Sequence, residues 1–448
     1  MTGKGKSEVP ERDFRQYYPF LAGIWLVISL LKMGNPVVLY QQIIPPSGIA
    51  EYLITAWPLS WGVIIGGVVL AIGFLLAKPI LPSRLILFFM APLAWFFWQL
   101  LAMARSITPE LSKVVVLHFG ICLAAYLIGA WTLGKISTRH LWFMLLGGMS
   151  IVFLLGFDQH FGGLEHTRKQ FHALPNWQEF PREYILKMNS DRIFSTLVYP
   201  NALAGVILLL FPILLFQLIS RIPTSSHFSR IFLLALFIYG AGGCFYWTGS
   251  KAGWLIAIVV GTVALLFSKF PTRQKIIIVT LLLLGGVGGF FLKYQTYFQK
   301  GATSATARFV YWKGAASNTG TNPILGTGPG SFAKVFQRIK PPDAEMARLV
   351  HNDYLQQASD SGIPGAIFYS LFILGTLWFT RPQGEGIFQT ETFYLWLGFL
   401  GWALQGLFEF GLYIPALAWP AFLIAGLLWS GKMVRQSGPG GQSSGLTQ

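Results

Sequence analysis

Long apolar runs separated by short polar breaks dominate the chain. About 20 mostly apolar residues suffice to cross a bilayer core. Hydropathy windows of that length predict twelve helices, at roughly 18–40, 58–77, 85–103, 111–133, 140–158, 197–220, 230–248, 251–268, 275–292, 363–380, 390–411 and 414–431. The fold class expected is an all-α polytopic membrane protein with about 12 transmembrane helices. The remaining segments are an N-terminal stretch at 1–17, long breaks at 159–196 and 293–362, and a tail at 432–448. Helices one to five then occupy 18–158, six to nine 197–292, and ten to twelve 363–431. A break of some 70 residues between packed helices is functional or disordered. The second one holds Trp312, Phe332, Phe336 and a helix-like run at 349–361, so it is expected to be folded and partly helical. The closing SGPGGQSSGLTQ is of low complexity and expected to be disordered.

Composition sharpens this picture. Apolar residues make up 54% of the chain and charged residues 11%, against about 25% charged in soluble domains; a soluble globule is excluded. Sixteen Trp, 16 Tyr and 38 Phe suggest aromatic belts at both membrane interfaces. The net charge of +16 would point to nucleic acid in a soluble protein. Here it bears on sidedness, and no nucleic-acid partner is expected. Sixteen basic residues fall in short segments on one side, among them Lys4, Lys6, Arg12, Lys78, Arg84, Lys135, Arg139, Lys269 and Arg381. That side is therefore assigned to the cytoplasm, with both termini, and the two long loops face outward. The N-terminal MTGKGKSEVPERDFRQYY precedes an apolar run without a small-x-small cleavage site, so the first span is expected to be retained. Cys122 and Cys244 both lie in apolar runs, where neither a disulfide nor a thiolate metal site is expected.

Thirteen further Lys and Arg lie in the long outer loops, where charge contributes little to orientation and must serve another purpose. The second loop contains RFVYWKGAASNTGTNPILGTGPGSF from Arg308, then HNDYLQQASDSGIPG from His351. Arg308 and Trp312, four apart, share a helix face. Asn322-Pro323 and the glycines of GTGPG force turns. Such glycines either cradle a phosphate or make a tight connector; without the Gly-Lys-Ser/Thr ending they do not form a nucleotide P-loop. His351-Asn352 opens a predicted helix that ends near Gly362, with Pro364 starting the next span. An imidazole suits proton acceptance near neutral pH, or simply a hydrogen bond to a loop carbonyl. Lys251, at the outer junction of spans seven and eight, binds an anion or snorkels, as Lys32 is expected to do. Asn201, opening span six, binds substrate or caps its helix.

Clusters of the zinc type and HExxH are absent from the sequence. Asp343-x-Glu345 can be written as a divalent-metal site or as a solvated loop following Pro341-Pro342. The chemistry favoured without a metal is phosphate binding by Arg and Lys with a histidine base.

At these residues the chain resembles the O-antigen ligase / O-antigen polymerase superfamily. The likeness rests on Arg308 with Trp312, NPILGTGPGSF, His351-Asn352 with Tyr354 and Leu355, Gly362, Asn201 in YPNALAG, and Ser250-Lys251. Similar members usually have arginine where Lys251 stands, a change that keeps the charge and loses the bidentate fork. The resemblance implies a multi-pass enzyme of the bacterial inner membrane with its site at the periplasmic face. It would transfer a glycan from an undecaprenyl-diphosphate carrier to an acceptor hydroxyl, on lipid A–core or another glycan, with no metal or nucleotide cofactor. It further implies His351 and Arg308 as catalytic residues, with Lys251, Asn201, Asn352 and Trp312 binding substrate. Ligase and polymerase are not distinguished. Two alternatives of other classes stay open. A twelve-span transporter, of inorganic carbon or another small solute, should place ionisable residues at mid-depth. A scaffold would tolerate loss of His351. A main cavity with His351 in its wall would favour the enzyme; one at mid-depth between the halves would favour the transporter.

Overall fold

The computed structural model describes residues 14–82, 85–179, 185–186, 188–221, 227–299, 303–342, 344–383 and 386–437. Arg84, Arg182, Lys187, Asp343, most of the N-terminal stretch and the low-complexity tail after Ser437 lie outside these. Among the described residues the secondary structure is entirely helical. Helices stand in all twelve apolar runs: α1 (Tyr18–Lys32), α2 (Leu59–Leu75), α3 (Ile86–Ala104), α4 (Pro109–Trp131), α5 (Arg139–Asp158), α6 (Pro200–Arg221), α7 (His227–Trp247), α8 (Lys251–Phe267), α9 (Thr272–Lys293), and, after the second long loop, α12 (Asp353–Phe379), α13 (Glu391–Gln405) and α14 (Pro415–Ser437). The loop itself contributes α10 (Thr303–Thr321) and α11 (Phe332–Ile339).

Eight of these, α3 to α7, α9, α12 and α14, are long and apolar enough to cross a membrane. The other four have 15 to 17 residues. At about 1.5 Å per residue they reach roughly 26 Å at most, short of a core about 30 Å thick. Window hydropathy cannot see these early ends: α1 stops at Lys32, whose ammonium donates to the carbonyl of Leu53 at 2.5 Å, and the chain then turns through Pro36.

The bundle is organised around α14, buried along almost its whole length between 416 and 429. It meets α4 at backbone contact. A Cβ on Gly426 would lie 2.0 Å from the Tyr126 carbonyl oxygen, and one on Gly129 2.3 Å from that of Leu423, the small-residue packing typical of helices in lipid. Six of the sixteen tryptophans, Trp25, Trp95, Trp142, Trp402, Trp419 and Trp429, are fully buried. This corrects the expectation of interface belts for those residues: they fill the gaps between helices, as Trp25 stacked on Trp419 shows. The opposite case is α9, which exposes Ile276, Leu281, Leu284 and Leu292, a surface suited to lipid.

The two ends of the bundle differ. Near one, Lys135 donates to the carbonyl of Lys78. At the other end of α4, Ser112 donates to the carbonyl of Pro329 in the long loop. There α10 and α11 build a small core of their own from Tyr311, Ala315, Phe332, Phe336, Ala347 and Val350.

Candidate active site

The glycine turn fixes where the loop sits. Gly326, Gly328 and Gly330 have φ of +61°, +105° and +78°, values that side chains rarely tolerate. Their amides are committed to protein: Gly328 N–H donates to the Asp360 carbonyl at 2.8 Å and Gly330 N–H to Asp360 Oδ2 at 2.7 Å. The turn is thus a connector that clamps α12, and it offers those amides to no phosphate. Within α12 the helix kinks at Ser361 and Gly362, so the run at 353–360 and the following span form one bent helix.

The start of α12 is docked as firmly. Asn352 caps it, its Oδ1 accepting from Leu355 N–H at 3.0 Å. Asp353 N–H donates to the Gly406 carbonyl at 2.7 Å, and Asp353 Oδ2 accepts from Leu412 N–H at 3.0 Å. These bonds hold the 406–412 turn against the residue preceding the cap, His351, whose φ of +56° is unusual for a residue with a side chain. Trp312, on α10, donates to the His351 carbonyl at 3.4 Å.

The 406–412 turn carries Glu409, the centre of the site. Its Oε1 accepts from Arg308 Nη2 and, at 2.6 Å, from Asn201 Nδ2. Its Oε2 lies 3.3 Å from His351 Nδ1. Burial alone would push this carboxyl up, but the Arg308 guanidinium and the His351 contact outweigh it and hold the group below the usual carboxylate range. Arg308 spends its other donors on the carbonyls of Phe408 at 3.0 Å and Ser304 at 3.3 Å. Arg192 extends the chain, donating to Asn201 Oδ1 at 2.6 Å and to the Thr248 carbonyl at 2.6 Å. Burial lowers the Arg192 guanidinium from its ordinary range, and the charge of Glu409 works against that.

Lys251 stands at the first position of α8, after Ser250, whose Oγ accepts from Gly253 N–H. Its ammonium lies 4.1 Å from the ring centroid of Tyr297 and 4.8 Å from that of Tyr294, and it feels the charges of Arg192, Arg308 and Lys293. Lys293 lies 3.3 Å over Tyr246 and donates to its carbonyl. The site thus gathers four cations, Arg192, Lys251, Lys293 and Arg308, within reach of one another's charge, with Arg308 paired to Glu409. Such an excess in a half-buried place favours an anionic ligand. Among the described residues no group of three or more His, Cys, Asp or Glu is arranged to hold a metal ion.

Of the residues singled out in the sequence, His351, Arg308 and Asn201 meet at Glu409, and Lys251 stands beside them within the same field. Asn352 and Trp312 support His351 from behind, one through the cap and one through its carbonyl. Glu409 and Arg192 were missed, the first because the predicted span 390–411 covers it, the second because it counted only as loop charge. A carboxylate inside a predicted span is itself a signal.

Among the described residues, three further His or Asp side chains are buried in the bundle: His118, Asp353 and Asp360. Each is bonded to neighbours: His118 to the Leu412 carbonyl and Trp419, Asp353 to Leu412, and Asp360 to Tyr413, Gln356 and Gly330. A groove of about 940 Å³ is apolar, lined by Phe88, Phe267, Ile367, Leu374, Trp378 and Trp396 among others. His351 is not in its wall, and neither are His118, Asp353 and Asp360.

No curated protein matches the chain. Residues 233–370 match the O-antigen ligase family model, a stretch that holds Lys251, Arg308, Trp312, His351 and Asn352 and leaves Arg192, Asn201 and Glu409 outside, and this is the superfamily that the sequence resembles.

Proposed function

We propose that the protein transfers a glycan from an undecaprenyl-diphosphate carrier to an acceptor hydroxyl at the periplasmic face of a bacterial inner membrane. The family match and the eight membrane-length helices support a membrane enzyme of O-antigen ligase or polymerase type. The observation that carries the finer reading is the meeting of His351 and Arg308 on opposite oxygens of Glu409, with Lys251 close by.

The chemistry follows from the groups present. The acceptor oxygen attacks the anomeric carbon and its proton passes to the imidazole of His351. The bond between that carbon and the diphosphate breaks, and the lipid diphosphate departs with the electron pair. Negative charge grows on the leaving oxygens, where the fixed cations of Arg308 and Lys251 stabilise it without reorganising. The energy resides in the donor linkage, so no nucleotide site is required.

The test uses purified protein in nanodiscs with an undecaprenyl-diphosphate oligosaccharide and lipid A–core. Extended lipid A–core is the ligase outcome and a lengthened carrier-linked glycan the polymerase outcome. His351→Ala and Arg308→Ala are expected to remove product from correctly inserted protein. Normal product from either variant removes that residue from the mechanism.

A further inference from the structure

Glu409 is more than an ion-pair partner. Its three donors come from residues 201, 308 and 351, on separate elements, and its two oxygens divide them: Oε1 takes Arg308 and Asn201, Oε2 faces His351 Nδ1. The acid is the enclosed member, with a side chain 7% exposed against 29% for the imidazole. The ring is packed between Tyr311, stacked at 5.8 Å, and the edge of Phe410 at 4.7 Å. Its backbone is held at φ +56°, a conformation that persists only where surrounding contacts impose it.

A carboxylate held ionised can only accept hydrogen bonds. The nitrogen beside it must then carry the ring proton, and which nitrogen of a histidine is free is set by the bond the other one makes. We infer that Glu409 is a positioning residue that holds His351 with Nδ1 protonated and Nε2 free to receive the acceptor's proton, while its other oxygen ties Arg308 to the same frame. Asn201 and Arg192 are the outer part of that frame: Arg192 holds the Asn201 oxygen, which aims the Asn201 amide at Glu409. The consequence for transfer rests on the function proposed above; the tautomer does not.

The decisive measurement is ¹⁵N NMR of ring-labelled histidine in the full-length protein in nanodiscs, with His351→Ala to identify the His351 signals. The expected result is an Nδ1–H ring in the native protein. In Glu409→Gln, where the amide can donate or accept, the ring should shift toward the Nε2–H form. His351 signals unchanged in Glu409→Gln overturn the inference, whatever the activity. In the transfer assay, Glu409→Gln should lower kcat by about 100-fold, within the range for proton-transfer catalysis, with the donor KM changed by less than about threefold, while Glu409→Asp recovers part of the loss. Activity lost in His351→Ala, with the tautomer unmoved in Glu409→Gln, sinks this inference and spares the proposed function. Full activity in His351→Ala sinks the proposed function and leaves the tautomer result standing.

Discussion

The indole nitrogen of Trp312 donates to the backbone carbonyl of His351 at 3.4 Å, reaching from α10 to the residue just ahead of α12. Because His351 occupies a left-handed backbone conformation, that bond helps determine where its ring points. Trp312→Phe keeps an aromatic surface against Phe408 and Phe309 and removes only the donor. It is expected to reduce kcat about tenfold with little effect on donor KM, since small misplacement of a catalytic group costs rate before affinity. Steady-state transfer kinetics on the purified variant check this.

Lys251 separates two demands that an arginine would meet together. It supplies charge at the start of α8 and lies over Tyr297 and Tyr294, but it lacks the planar fork. Lys251→Arg should therefore keep activity within about threefold of the native enzyme and tighten donor binding, because guanidinium also stacks on aromatic faces. Lys251→Met, similar in length and neutral, should raise donor KM at least about tenfold, the loss of one charge-assisted contact. Product formation titrated against donor distinguishes the two; equal KM for both would mean that Lys251 does not touch the diphosphate.

How much of this was legible in the sequence depends on whether the signal was local. Helix positions follow from runs of apolar residues, which is why a helix stands in every predicted run. Their ends do not follow, because Lys32 and the Pro36 turn stop α1 by contacts that a window average smooths away. Arg308 and Trp312 share a face by spacing alone, and the GTGPG turn announces itself through its glycines. Glu409 is different in kind. It pairs with Arg308 across 101 residues and with Asn201 across 208, and no periodicity connects such positions. Arg192 was hidden in the same way, as one charge among many until the fold brought it to Asn201.

Acid should loosen this frame in a definite direction. Glu409 is held below the usual carboxylate range in the folded protein, whereas an unfolded glutamate titrates near about 4.3. A carboxyl depressed by folding contributes stability that is complete above its unfolded value. That stability is lost as pH falls through the lower folded value. The melting temperature of the native protein in detergent should therefore drop more steeply below about pH 4 than that of Glu409→Gln, which has no proton to take up there. Parallel curves for the two proteins would show that the ion pairs at Glu409 add nothing to stability.

Gly362 joins the stability of the bundle to the geometry of the site. It kinks α12 at φ +75°, and a Cβ there would lie 2.1 Å from the Ile324 carbonyl oxygen in the NPILG turn. The same place is bridged by the Ile363 amide donating to the Pro323 carbonyl at 2.8 Å. Gly362→Ala must therefore both strain its own backbone, at about 1 kcal/mol or more, and push the turn away from α12. The turn carries Gly328 and Gly330, which hold Asp360, and the stretch from Asp353 to Asp360 carries His351 at its head. The expected outcome is a melting temperature lowered by several degrees together with a fall in kcat larger than that of Trp312→Phe, measured on the same preparation. A fall in melting temperature with kcat intact would mean that the kink is fastened independently of His351, and that the turn serves only to close the loop on the bundle.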